Sequence, residues 1–247
     1  MNVNQPIAIQ SWCFRHFKAL PEFFTQLKAA GVTATELCGV HANFNDPSTY
    51  PSTVKQFADA GVKIVCIGVE WISGDETKDR PKFEFCKAAG IKNMSISFSP
   101  DALFEGKLKN IDKLAEQYDL KLGIHNHGGY DWLGNDTILK YVFSKTSPRI
   151  GVHIDTAWAL DAKQNPVKWV EEFGSRVHGV HIKDFTFDRA RNSTDVIIGT
   201  GNLDLPKFMA ALKSVHFSGP LVIEYEGDET SPVPALKQCV DVLRPLL

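Results

Sequence analysis

Four apolar runs in the second half of the chain end in side chains that can bind metals or move protons. Leu122 to His127 closes on His125-Asn126-His127, and Ile150 to Asp155 carries His153 and Asp155. Gly179 to Lys183 carries His181 and Lys183, with Asp184 directly after it, and Leu221 to Glu226 carries Glu224. In an extended segment successive side chains point to opposite faces. Leu122, Ile124 and Asn126 then share one face, and His125 and His127 the other. The same alternation separates His153 and Asp155 from Ile150, Val152 and Ile154, turns His181 and Lys183 away from Val180 and Ile182, and leaves Glu224 inward. Burying that many ionisable groups without partners costs several kcal/mol each. A divalent cation removes the cost by binding the carboxylates and neutral imidazoles directly. Mixed Asp, Glu and His ligands suit Mn²⁺, Co²⁺, Zn²⁺, Fe²⁺ or Mg²⁺. Singly, each residue has another use: Asp155 can cap the helix that T-A-W-A begins, Glu224 can pair with Lys183, and two histidines can simply bond to each other.

The elements that must position these groups show in a structural repeat. Ala30-Gly31-Val32, Ala60-Gly61-Val62 and Ala89-Gly90-Ile91 place glycines 30 and 29 residues apart, each after an amphipathic segment and before an apolar run. A helix stopped by glycine and followed by a short buried strand accounts for that order. The register predicts eight strands: Ile7–Ser11, Ala34–Cys38, Ile64–Val69, Asn93–Phe98, Leu122–His127, Ile150–Asp155, Gly179–Lys183 and Leu221–Glu226. Six of their starts follow one another at 27 to 30 residues and the last at 42, because an insertion, Phe185 to Asn202, intervenes. A strand, a crossover helix and two loops need about 30 residues. Eight such units predict a single-domain (β/α)8 barrel over residues 1–247. An open doubly wound sheet is the alternative, but no Gly-rich dinucleotide fingerprint follows the first strand. Between strands, Asn110 to Tyr118 has apolar residues at helical spacing, Asp204 offers an N-cap before Pro206, and Pro234 to Leu247 reads as the closing helix.

In such a barrel, function sits at the C-terminal strand ends. The first four runs add Gln10-Ser11-Trp12, Glu36, Glu70-Trp71 and Ser97-Phe98-Ser99 to the groups above. Glu36 is either a binding group or an ion-pair partner of Arg15; Cys38 and Met94 are assigned to packing. Composition narrows the function further. Lys and Arg total 27 against 29 for Asp and Glu, so no basic field draws in nucleic acid. The five cysteines are scattered without a C-x-x-C pair, as expected of reduced thiols in a cytoplasmic protein. The N-terminus lacks the basic and apolar regions of a signal peptide, and no run has the roughly 18 apolar residues of a membrane span. Trp132 and Phe187, on long loops, are candidates to contact a second subunit in a homo-oligomer.

Gly151 to Trp158 (G-V-H-I-D-T-A-W), Gly179 to Phe185 (G-V-H-I-K-D-F), Gly199 to Asp204 (G-T-G-N-L-D) and Gly219 to Glu224 (G-P-L-V-I-E) resemble the xylose-isomerase-like TIM-barrel superfamily of sugar isomerases and epimerases. The resemblance covers nearly the whole chain. It implies one divalent metal held by a residue from each of strands five to eight, here Asp155, His181 and Glu224 with a strand-five residue. Many sugar epimerases keep a glutamate on strand five. This chain has I-H-N-H instead, which places His125 as ligand and His127 as proton carrier, the reverse assignment remaining open. The expected activity is isomerisation or epimerisation of a sugar, sugar phosphate or keto-sugar through an enediolate, with Glu224 as base and His127 or Lys183 returning the proton. The alternative is a lyase, a dehydratase of the inosose or 3-keto-sugar type. An endonuclease IV-like activity would want several metal ions and a basic face. Trp12, Trp71 and Trp158 are placed to stack on sugar C–H faces or to pack the barrel mouth. Glu36, Asn126, His153 and Asp184 are expected beside the substrate. Arg189, in Asp188-Arg189-Ala190-Arg191, is expected to hold a phosphate or carboxylate, unless that loop is merely solvated.

Overall fold

Aliphatic and β-branched runs become the strands of a closed barrel in a computed structural model that describes residues 6–104 and 106–247. The staves are β1 (Ile7–Gln10), β2 (Ala34–Leu37), β3 (Lys63–Trp71), β4 (Asn93–Ser97), β5 (Lys121–His125), β6 (Ile150–Asp155), β7 (Val177–Ile182) and β10 (Leu221–Ile223). All neighbouring staves pair in parallel, and β10 closes the ring between β7 and β1. Helices α1 (Leu20–Ala29), α2 (Tyr50–Asp59), α3 (Glu76–Ala89), α4 (Lys107–Gln117), α5 (Asp136–Ser144), α6 (Thr156–Asp161), α7 (Pro166–Phe173) and α8 (Leu205–Ser214) lie between them in sequence, and α9 (Val233–Leu243) follows the last. The fold is the expected (β/α)8 barrel.

Gly31, Gly61 and Gly90 end the first three helices with φ of 90°, 65° and 68°. Glycine reaches that left-handed region without a Cβ clash, which is why the repeat marks its boundaries with it. Helices α1 and α3 pack through aromatic contacts onto the segments that follow β1 and β2, Phe23 on Phe14 and Phe85 on Phe44. Within the barrel, Ala8, Ala34 and Val222 form a small separate apolar cluster. All five cysteines are buried free thiols.

Two strands stop two or three residues short of their sequence runs. β5 stops at His125 because the Asn126 amide takes over from the ladder, accepting from the Asp155 N–H (2.9 Å) and donating to the Asp155 carbonyl (3.0 Å). β10 stops at Ile223, although the Glu224 N–H still donates to the Ile182 carbonyl at 3.2 Å. The insertion is not irregular: β8 (Asp184–Phe187) and β9 (Ser193–Val196) pair antiparallel as a hairpin. Trp132 differs from expectation, being half-buried with its indole N–H on the Phe98 carbonyl. Phe187 is likewise half-buried, under the Arg191 guanidinium at 4.1 Å. Among the described residues no helix is long and apolar enough to cross a membrane.

Candidate metal centre and cleft

Strand register brings the expected donors together. His125 and Asp155 are the last residues of β5 and β6, Asp155 lies beside His181 in the β6–β7 ladder, and Glu224 follows β10. His125, Asp155, His181 and Glu224, all buried, present one ligand-type atom each within 4.8 Å of the others. His125 Nε2 lies 3.0 Å from His181 Nδ1 and 3.7 Å from Asp155 Oδ2; His181 Nδ1 is 3.4 Å from Glu224 Oε2.

Burial, with the nearby His181 and His127 rings, pushes the His125 imidazole well below its ordinary pKa, so it stays neutral. Burial also lowers His181, but Glu36 and Glu224 on either side outweigh it and hold the ring protonated. Asp155 is pushed up to about 7 by burial, against the pull of Lys183 and with Glu224 adding to the rise. One Asp155 oxygen caps α6 through the Trp158 N–H (2.9 Å), while the other, Oδ2, is buried with no hydrogen-bond partner. Two imidazoles and two carboxylates, one of them with an orphaned oxygen, converging on one point fit a divalent cation. His125 is the strand-five member of this group. His127 stays outside it, at the mouth, with its ring centroid 4.6 Å from that of His125 and its Nδ1 3.8 Å from Asp131.

The cluster opens into a cleft of about 490 Å³ walled by Trp12, Glu70, His125, His127, Trp158 and Glu224. Trp12 is fixed by its indole N–H on Glu226 (2.8 Å) and by Arg15 stacked at 5.0 Å. Arg15 pairs with Glu226 and Glu229, not with Glu36. Trp71 is more than half exposed and lies outside the cleft wall; its neighbour Glu70 lines it instead, with burial raising its carboxyl pKa against Lys82 at 3.6 Å.

Four residues expected at the substrate have buried side chains engaged with the protein. Glu36 accepts from Gln10 Nε2 (2.8 Å) and bonds His181 Nε2 (3.1 Å), so it orients that imidazole from behind. Burial works to raise Glu36, but the charged His181 ring brings it down to about 2. Asn126 bonds the Asp155 backbone. His153 lies under the cluster, between Glu36 and His181. Asp184 accepts the Gly199, Gly201 and Leu203 N–H groups, each at 2.9 Å, which explains the G-T-G-N-L-D motif. Arg189 is exposed in the hairpin turn and contributes nothing to the cleft wall.

Lys183 is buried among Glu226, Glu224 (3.4 Å) and Asp195 (3.6 Å). Burial lowers its pKa, but the surrounding carboxylates outweigh it and raise it above the ordinary lysine value. It is a fixed cation and a poor proton carrier. Asp195, brought in by the hairpin, is pushed up to about 7 by burial, partly offset by Lys183. Gln10, Glu70 and Glu226 were all visible as polar strand ends. Asp195 carried no sequence signal, since only the hairpin fold points it at Lys183.

A closed parallel barrel with a two-His, two-carboxylate cluster at the C-terminal strand ends defines the class of protein. Residues 24–246 match the xylose isomerase-like TIM-barrel family, and the chain belongs to it. Over 94 residues it is 32% identical to the 3-oxo-isoapionate decarboxylase of Pectobacterium atrosepticum, covering 36% of this chain and 33% of that one. Inosose dehydratase of Clostridium beijerinckii is 22% identical over 135 residues, 49% of this chain and 45% of the relative. The chain thus spans less than half the length of the curated relatives it matches. The D-allulose 3-epimerase of Methylomonas sp. superposes with a TM-score of 0.72 over 98% of both chains at 15% identity, a likeness of fold.

Proposed function

We propose that the protein is a divalent-metal-dependent isomerase or epimerase of a sugar or keto-sugar, moving a proton beside a carbonyl through an enediolate. The observation that carries this reading is the convergence of His125, Asp155, His181 and Glu224, with Asp155 Oδ2 unpartnered, at the floor of a sugar-sized cleft that His125 and Glu224 line. Those four residues would hold one ion, which when bound supplies Lewis acidity toward a substrate carbonyl. Glu224 is the cluster's only carboxylate on the cleft wall, and it takes the proton from the carbon beside the carbonyl. Burial works to raise its pKa, but Lys183 and His181 outweigh that and keep it ionised, ready to accept. His127, at the mouth, returns the proton. Lys183 steadies negative charge on the substrate and on Glu224. Trp12 and Trp158 face the cleft as stacking surfaces for sugar C–H groups.

One observation favours a second reading, a lyase of the dehydratase or decarboxylase kind. Strand five contributes an imidazole to the cluster, so the cleft has one metal-side carboxylate, enough for removing a group but not for symmetric proton transfer on both faces. The two curated relatives are a decarboxylase and a dehydratase. Incubation with ketoses and keto-sugars in D₂O with Mn²⁺ separates the readings by product mass. Deuterium uptake without other change supports the isomerase, and loss of water or carbon dioxide supports the lyase. Binding with neither outcome contradicts both.

A further inference from the structure

Behind the mouth cluster, on the far side of His181, a second set of donor atoms converges. Glu36 on β2, Cys66 on β3 and His153 on β6 are all buried and each bring a ligand-type atom within 4.8 Å of the others. Glu36 and Cys66 are lateral neighbours in the β2–β3 ladder. Glu36 divides its oxygens. Oε1 serves Gln10 and His181, whereas Oε2 has no hydrogen-bond partner and lies 3.7 Å from His153 Nε2, which has none either.

The chain makes room for that imidazole. A Cβ at Gly123 would sit 2.8 Å from His153 Cβ, and one at Gly179 would sit 2.4 Å from His153 Nδ1, so only glycine on both flanking strands admits the ring in this position. A direct hydrogen bond would draw Oε2 and Nε2 to about 3 Å. An oxygen and a nitrogen around a zinc-sized ion, at about 2.0–2.2 Å from it, stand about 3.3–3.5 Å apart. The observed 3.7 Å is beyond a hydrogen bond and nearer the second spacing than the first, and a sulfur completes the set.

We propose that Glu36 Oε2, Cys66 Sγ and His153 Nε2 form an interior binding site for a thiophilic divalent cation of the Zn²⁺ or Co²⁺ kind, distinct from the cluster at the mouth. Thiolate and imidazole select such ions over Mg²⁺. Coordination releases the Cys66 thiol proton to solvent, and thiolate plus carboxylate then balance the ion's two positive charges. Glu36 joins the two sites, one oxygen on the interior ion and the other orienting His181. Because all three ligands are fully enclosed, the ion is acquired as the barrel folds and is retained when a chelator strips the mouth.

The test uses the full-length protein produced with zinc and, separately, with cobalt. Two ions per chain are expected, with thiolate-to-cobalt charge-transfer absorption in the cobalt form. Cys66→Ser should lose that band and one ion, and His153→Gln should lose one ion. Asp155→Asn should lose the other ion and keep the band. A single ion carrying the band supports the interior site and tells against the one at the mouth. Absence of the band from wild-type protein overturns the proposal whether or not the variants fold, as does a band that survives Cys66→Ser.

Discussion

Glu36 lines no part of the cleft, yet two interior histidines face it. A carboxylate that fixes the far nitrogen of a ligating imidazole sets its tautomer and basicity, and loss of such a partner typically costs about 10–100-fold in metal affinity. Glu36→Gln is therefore expected to weaken metal binding at the mouth cluster by that factor in a chelator competition while leaving far-UV dichroism unchanged. Glu224→Gln addresses the chemistry directly: proton exchange should fall about 10²–10⁴-fold, the usual share of a general base. That His125, Asp155, His181 and Glu224 come together was legible because alternation fixes which face a side chain takes. Glu36 and His153 were misplaced because alternation says nothing of depth, and Asn126 because it was expected beside the substrate although alternation turns it away from His125. Register decides depth, and it puts Glu36 and His153 behind the cluster and ties Asn126 to the neighbouring strand's backbone.

The β8–β9 hairpin does for the site what no stave does, since it delivers Asp195 to Lys183 and, through the Glu226 N–H on Asp195 Oδ2 (3.0 Å), ties the segment after β10 in place. Its root is the Asp184 carboxylate and the three backbone N–H groups it accepts. Asp184→Ala leaves those donors unpaired and should cost about 2–4 kcal/mol in urea unfolding. The strand-and-helix period was readable because glycine caps and apolar runs repeat every 27 to 30 residues. The hairpin was not. Its turn, Asp188 to Asn192, lacks an Asn-Gly or Asp-Gly signal, and Ser193 to Val196 is too polar to stand out as a strand. The turn is built instead on Asp188, which caps the Asn192 N–H, and on Arg191 at a φ of 69°.

At the scale of the whole barrel, the end opposite the cleft adds a pH dependence of its own. His178 on β7 is buried, with Nε2 2.9 Å from the Pro148 carbonyl, and burial lowers its pKa to about 4, the Pro148 contact opposing only in part. The unfolded chain binds a proton near pH 6.5 and the folded chain does not, so this contribution to stability is intact above 6.5 and lost as pH falls toward 4. The loss amounts to about 3 kcal/mol. His178→Gln, which can still donate to Pro148, should flatten that part of the profile when urea midpoints at pH 7 and pH 4.5 are compared with wild type.

As proposed, a metal held by His125, Asp155, His181 and Glu224 makes the cleft a proton-transfer site. The most direct measurement follows solvent deuterium into a panel of ketoses and keto-sugars with protein that is metal-loaded, chelator-treated and then reloaded. Exchange should be present with metal, lost on chelation, restored by a divalent ion, and absent in Asp155→Asn. Exchange that persists at full rate in chelated protein shown to have lost the ion at the mouth would contradict that role for the metal.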